Sequence, residues 1–296
     1  MASTSRYGYA RLGRYGLTHG LLAWARCAVW CEQTGAQMIA PFWFKPRIGP
    51  YLRRERDKRN YFLLFHAGGQ ISGLRRLALL AKLPKFPVGQ GAPAANGGSG
   101  IMLFENALAD NEKKSFAQVV DHGPFLRSRL LAITRRHHIP PAPAEPFIAI
   151  HVRLGDFAEP SGKNAVGNNV RLPIDWYADR LLSLRAALAV AVPAVVFSDG
   201  SEEELAPLLR LAAVTRAPKA ESVTDLLALG AGACVIGSAS GFSLWGAFLG
   251  SAPRLSHVGK QIVPIYIGEG AEGDIESAFG ADIPPTFVTR LMARMG

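Results

Sequence analysis

Three short clusters in the second half of the chain combine side chains that can handle an anion. The first is His151, Arg153 and Asp156, at the end of the apolar run Phe147 to Leu154 (FIAIHVRL). If that run is a strand, alternation puts His151 and Arg153 on one face, an imidazole and a guanidinium aimed together at the edge of a sheet. Arg suits a bidentate grip on phosphate, so an anionic ligand is expected at this loop; the plainer alternative is that Arg153 pairs with Asp156 and only ties the loop. The second cluster is Phe197-Ser198-Asp199-Gly200. A carboxylate just after a strand can accept hydrogen bonds from a ribose or a base edge, or can serve as a turn or cap residue. The third is Gly237-Ser238-Ala239-Ser240-Gly241-Phe242-Ser243, leading into a helix expected to begin near Leu244. Small residues let the backbone approach a ligand, hydroxyls can donate, and the helix dipole favours a negative group, although a tight turn would use the same residues for packing alone.

These clusters need elements that present them together. After a proline-rich stretch, HHIPPAPAEP (His137 to Pro146), strand-like and helix-like runs alternate. FIAIHVRL is followed by a helical pattern from Ile174 to Leu188, then by PAVVFSD as a strand and by EEELAPLLRLA as a helix opened by a capping box of Ser201 and Glu204. TDLLALGAG reads as a helix, ACVIGS as a strand and FSLWGAFLG as a helix. Such alternation implies a parallel sheet whose ligands sit at the carboxyl ends of its strands. The terminal PPTFVTRLMARMG is an amphipathic helix that could return to the first half of the chain. There the pattern is less regular. Leu17 to Gly35 reads as a helix with Thr18 as N-cap and Gly35 as its stop, Ala36 to Pro41 as extended, and Tyr61 to Phe65 (YFLLF) as a strand. The loop Leu12-Gly13-Arg14-Tyr15-Gly16 could offer backbone N–H groups at that helix start. The stretch Pro84 to Gly100 is expected to be a loop, and YLRRERDKRN (Tyr51 to Asn60) a solvated charge cluster.

Composition bounds the partners. The chain has 296 residues, 49% hydrophobic and 19% charged, which excludes collagen, coiled coil and a wholly disordered chain and is enough for two domains. Its net charge of +10 attracts nucleic acid, a phosphate-bearing small molecule or an acidic membrane surface. No nucleic-acid-binding motif appears, so nucleic acid is not an expected partner. Three cysteines cannot make a paired disulfide framework, and Cys27 and Cys31 read as small core residues of a reducing compartment. The basic N-terminus has no following apolar stretch of the signal-peptide kind, so a cytoplasmic protein is expected, with peripheral contact at the inner face of an acidic membrane. The uncharged segment Leu226 to Pro253 is long enough to span a bilayer but holds six glycines and four serines, which favours strand, loop and helix. There is no Gly-x-Gly-x-x-Gly at a strand-to-helix junction, no P-loop, no His-Glu-x-x-His and no Asp-x-Asp for a metal-bound nucleotide sugar, so no metal is expected.

Taken together, the three clusters resemble a family. Ile150-His151-Val152-Arg153-Leu154-Gly155-Asp156-Phe157 is similar to the His-x-Arg-Arg-Gly-Asp-Tyr motif of α-1,2-fucosyltransferases, shared more loosely with α-1,6- and protein O-fucosyltransferases. Val196-Phe197-Ser198-Asp199 resembles their Phe-Ser-Asp-Asp segment, and Ser240 to Leu249 their Ser-Thr-Phe-Ser-Trp-Trp-Gly-Ala-Trp-Leu block, with Asp225-Leu226 where an Asp-Leu precedes it. Order and spacing agree over Pro146 to Leu249. The resemblance implies an α/β, GT-B-like fold of two Rossmann-like domains with parallel sheets: an acceptor-side domain over 1–140, a nucleotide-sugar-binding domain over 147–275 and a C-terminal helix over 276–296. It implies inverting, metal-independent transfer of fucose from GDP-fucose to a glycan hydroxyl, on a galactoside for the α-1,2 enzymes.

By position, the resemblance makes Arg153 the residue that neutralises the donor's β-phosphate and His151 a nucleotide contact. Asp199 and Asp225 would hold guanine or ribose, and Ser240, Gly241 and Ser243 the diphosphate. Gly13 and Gly16 would stand on the donor side of the first domain, in a loop that only faintly resembles the family's Gly-x-Leu-Gly-Asn-Gln and lacks its Asn and Gln. Leu154 replaces the second Arg of the first motif, Gly200 the second Asp of the second, and Leu244 the first Trp of the third. Removing the acceptor proton needs a base or a late loss to solvent, and Asp156 and Glu159 are the nearest carboxyls in sequence.

Overall fold

The computed structural model describes residues 6–13, 16–43, 61–89, 99–105, 115–155, 157–158 and 170–296. The chain divides into two compact units, residues 1–138 and 139–296, a division that falls inside the proline-rich stretch. Both units have the expected α/β character, each built on an all-parallel sheet.

In the first unit, β1 (Arg6–Arg11) leads into α1 (Leu17–Thr34) and β2 (Gln37–Ile39); α2 (Gly73–Lys82), β3 (Lys85–Pro87), β4 (Gly100–Glu105) and α3 (Gly123–Ile133) follow. The sheet order is β2-β1-β4-β3. A parallel sheet is covered on its faces, and α1 does much of that covering: Leu21, Ala23, Trp24, Ala25 and Cys27 are fully buried, with Cys27 and Cys31 as buried thiols. Three expectations change here. The N-cap of α1 is Gly16, in extended backbone, and Thr18 lies inside the helix. The run YFLLF is a 3-10 turn over Tyr61–Leu63, not a strand. Tyr61, Leu64 and Phe65 are buried while Phe62 and Leu63 are exposed, which is the period of a helical turn and not the alternation of a strand. Finally, the stretch expected to be loop from Pro84 onward begins with β3, paired with β4 from Lys85 to Pro87. A proline is tolerated there because β3 is an edge strand. The basic cluster at 51–60 lies outside the described residues.

The second unit runs β5 (Ile148–Val152), α4 (Ile174–Leu188), β6 (Ala194–Ser198), α5 (Glu202–Leu209), β7 (Val214–Arg216), α6 (Ser222–Leu229), β8 (Cys234–Gly237), α7 (Gly241–Gly250), β9 (Arg254–His257), β10 (Asp274–Ser277) and α8 (Pro285–Met295). Its sheet order, β10-β9-β8-β5-β6-β7, contains one reversal. The chain proceeds from β5 to β6 and β7, then returns to lay β8 on the other side of β5. In open α/β sheets that reversal leaves a crevice at the carboxyl ends of the two flanking strands, here β5 and β8. The terminal helix α8 stays in this unit, with Phe287 and Leu291 fully buried in the core that holds Ile148 and Trp176.

The uncharged segment folds as α6, β8 and α7, and among the described residues no helix is long and apolar enough to cross a membrane. Its glycines serve helix contact. Gly230 and Gly250 bring α6 and α7 so close that a Cβ on Gly250 would overlap the Gly230 carbonyl, and a backbone carbonyl cannot swing aside. Gly250→Ala is therefore expected to destabilise the unit by about 3 kcal/mol, at the upper end of overpacking costs. The urea midpoint measures this, and an unchanged midpoint would refute the contact.

Candidate active site

The site grows from strand register. Val152 of β5 pairs with Ser198 of β6, so the residues that follow, Arg153 and Asp199, leave the sheet side by side. Their side chains form an ion pair at 2.6 Å. Asp199 is further held by the loop it faces: its Oδ1 accepts from the Leu154 N–H at 2.9 Å, and the Gly155 N–H also donates to it. Gly155 is required by that approach, since a Cβ there would stand 2.6 Å from Asp199 Oδ2. Burial pushes the Asp199 carboxyl up, but the Arg153 charge and the two amides outweigh it and leave its pKa below the usual value. About a third of the Arg153 side chain remains open to solvent. The guanidinium is thus aimed by a partly buried carboxylate across two strand ends.

His151 lies within β5 and is buried, whereas Arg153, just past the strand end, is partly exposed. The imidazole is buried, its Nδ1 lies 2.8 Å from Ser238 Oγ, and its ring stacks on Phe242 at 5.1 Å between centroids. Ser238 follows β8, so this contact spans the reversal of the sheet. Burial, aided by the Arg153 charge and opposed by Asp199, pulls the His151 pKa down to about 3, so the ring is neutral at pH 7. The third cluster closes the same corner. Ser240 is the N-cap of α7, its hydroxyl accepting from the Phe242 N–H at 3.1 Å, and Ser243 Oγ donates to the Ser238 carbonyl at 2.8 Å. The helix begins at Gly241, three residues before the expected Leu244, because Ser240 supplies the cap.

The structure thus brings His151, Arg153, Asp199, Ser240, Gly241 and Ser243 to the carboxyl ends of β5, β6 and β8. Asp225 lies in the first turn of α6, the helix before β8. Gly13 and Gly16 belong to the first unit, after β1, where a Cβ on Gly16 would meet nothing within 4 Å. Asp156 and Glu159 lie outside the described residues.

Several residues that motif reading passes over shape this corner. Arg171 Nε donates to the carbonyls of Leu154 and Phe157 at 2.8 and 3.1 Å, and its Nη1 pairs with Glu204 of the capping box at 3.1 Å. Arg216 Nη2 donates to the Gly200 carbonyl at 2.5 Å. Tyr177, fully buried on α4, has a hydroxyl with no hydrogen-bond partner among the described residues, and burial together with the Asp199 charge raises its pKa. None belongs to a local pattern: Arg171 and Arg216 reach their partners through the fold. Two of the departures from the fucosyltransferase motifs meet here as well. Gly200 has no room for a Cβ because the buried Leu154 side chain fills that space. Where the motifs have an Arg and an Asp, this chain has one apolar contact.

Chemically, the corner offers a fixed guanidinium, the N-terminus of a ten-residue helix and a neutral imidazole. That combination is suited to hold an anion and to neutralise charge developing on it. Among the described residues no group of three or more His, Cys, Asp or Glu side chains could hold a metal ion.

No protein-family model matches the sequence, and no curated protein matches it. Similar solved structures include the fucosyltransferase NodZ from Bradyrhizobium, at 13% identity and a TM-score of 0.46, covering 85% of this chain and 95% of that one. The protein POFUT1 in its apo form is similar at 11% identity and a TM-score of 0.47, over 86% of this chain and 98% of that one. The heptosyltransferase WaaC of E. coli, solved with ADP, is similar at 13% identity and a TM-score of 0.46, over 97% and 96%.

Proposed function

We propose that this chain is a glycosyltransferase of GT-B type that moves fucose from GDP-fucose to a hydroxyl of a galactoside glycan, with inversion and without a metal. The observation that carries the reading is the ion pair of Arg153 with Asp199, which aims a guanidinium at the same strand ends as the α7 N-terminus. The three ordered motif resemblances support the choice of donor. In this reading Arg153 neutralises the β-phosphate as GDP departs, and the backbone around Ser240, Gly241 and Ser243 receives the diphosphate. Asp225, Gly13 and Gly16 contact the rest of the donor, His151 lines the nucleotide site as a neutral ring, and Asp156 or Glu159 takes the acceptor proton. Asp199 holds Arg153 and the Leu154 and Gly155 amides, so its part is positioning rather than ribose binding. The surplus of positive charge adds attraction to an acidic membrane face.

A thermal-shift screen of nucleoside diphosphate sugars in EDTA tests this. GDP and GDP-fucose are expected to stabilise the protein by about 2.7 kcal/mol at a hundredfold excess over the dissociation constant, followed by transfer onto a β-galactoside panel. No shift with either would refute the donor. A second reading, a non-catalytic nucleotide-sugar or glycan binder on the same fold, is favoured by the Leu154–Gly200 contact that replaces two charged motif positions; binding of GDP-fucose with no transfer or donor hydrolysis would select it. A shift with a different nucleotide sugar alone would select another donor.

A further inference from the structure

Helix α2 carries two apolar faces and needs only one. Leu79 and Leu80, with Leu83 just beyond, pack on the sheet core of Ile39, Ile101 and Leu103. On the far side Leu74, Leu77, Ala78 and Ala81 recur at i, i+3, i+4 and i+7, the spacing that stacks side chains along one helix face. All four are exposed, Leu74 at 85% and Leu77 at 52%. Arg75 and Lys82, seven residues apart and both exposed, flank this stripe. Arg76 turns away from it, its guanidinium 3.7 Å from the Phe42 ring centroid.

The surroundings share this character. Among the described residues of the first unit, the exposed large hydrophobic side chains all fall between Phe42 and Val88. No Asp or Glu occurs between Asp57 and Glu105. An exposed apolar stripe with a rim of one charge sign marks an interaction surface, and the sign chooses the partner. A second copy of this chain would bring Arg75 and Lys82 against like charges in a self-complementary contact, on a protein of net charge +10. A surface with negative headgroups above a hydrocarbon layer complements both the rim and the stripe.

We propose that α2 is a membrane-surface helix, lying with Leu74, Leu77, Ala78 and Ala81 at the headgroup–acyl boundary of an anionic bilayer while Arg75 and Lys82 pair with lipid phosphates. Such helices bind through buried apolar area plus attraction to anionic lipid, and each basic residue near the surface changes partitioning about fivefold. The proposal is independent of which donor the second unit binds.

Co-sedimentation with vesicles of equimolar phosphatidylcholine and phosphatidylglycerol, at low salt, tests it. The full chain is expected to pellet with these vesicles and not with pure phosphatidylcholine. Leu74→Glu/Leu77→Glu and, separately, Arg75→Glu/Lys82→Glu are each expected to weaken partitioning at least about tenfold. The thermal midpoints should stay at the wild-type value, because the four side chains are exposed. Absence of vesicle binding, or binding that both double variants retain, overturns the proposal. A dimer in gel filtration that Leu74→Glu/Leu77→Glu dissociates also overturns it, in favour of a second copy as the occupant.

Discussion

Arg153→Ala is expected to lower GDP release from GDP-fucose by about a hundredfold or more, the usual cost of removing one preorganised group that meets developing charge. Two further variants tell a charge effect from a loss of structure. Arg153→Lys keeps the charge but loses the fork that meets Asp199, and should restore only part of the rate. Asp199→Ala leaves Arg153 in place but removes the carboxylate that its guanidinium meets and strips the Leu154 and Gly155 amides of their acceptor. It should therefore cost both rate and about 1 kcal/mol of stability, since a part-buried amide and a partly buried charge lose their partner. Initial rates and urea midpoints separate these effects. An Arg153→Ala protein as active as wild type would remove Arg153 from the chemistry, whatever the donor proves to be.

Between pH 6.5 and 5 the second unit is expected to lose about 2 kcal/mol of stability, and His151 is the cause. Its pKa falls from 6.5 to about 3 on folding, so in this window the unfolded chain binds a proton that the folded protein refuses. The unfolded state is favoured as pH drops; above pH 6.5 both states are neutral and the effect vanishes. The depressed carboxyls of Asp199 and Glu204 act in a lower window, since their contribution is lost only as pH falls below their ordinary values of 3.8 and 4.5. Urea midpoints at pH 7 and pH 5 measure the slope. His151→Asn, which can keep an acceptor or donor near Ser238 Oγ, should be less stable throughout, having lost the Phe242 stack, but should show a flatter dependence over this range. An equally steep dependence in the variant would mean that the imidazole is not the buried neutral group.

Much of the second unit was legible because its signals are local. The helical pattern from Ile174 to Leu188 coincides with α4, and the capping box at Ser201 and Glu204 is present with both of its hydrogen bonds. The strand carrying His151 follows from a run that is apolar apart from that histidine, the mark of a strand buried on both faces. The first unit was less legible: β2 and β3 are only three residues long, β1 mixes Arg, Tyr and Gly without an apolar run, and YFLLF has the composition of a strand but the burial of a turn.

Periodicity and capping act within a few residues, so they set which segments become strands and helices and which residues stand at strand ends. Pairing acts between segments far apart, and no local signal ranks the alternatives. Tertiary structure therefore decided that β8 returns beside β5, which sets Ser238 against His151 across 87 residues of sequence. It likewise decided that the Arg153 guanidinium meets Asp199 of the neighbouring strand end, a pairing across 46 residues that no local pattern shows. The same holds for α2: its spacing shows two apolar faces, and only the fold reveals which one the sheet covers and which one is left to water.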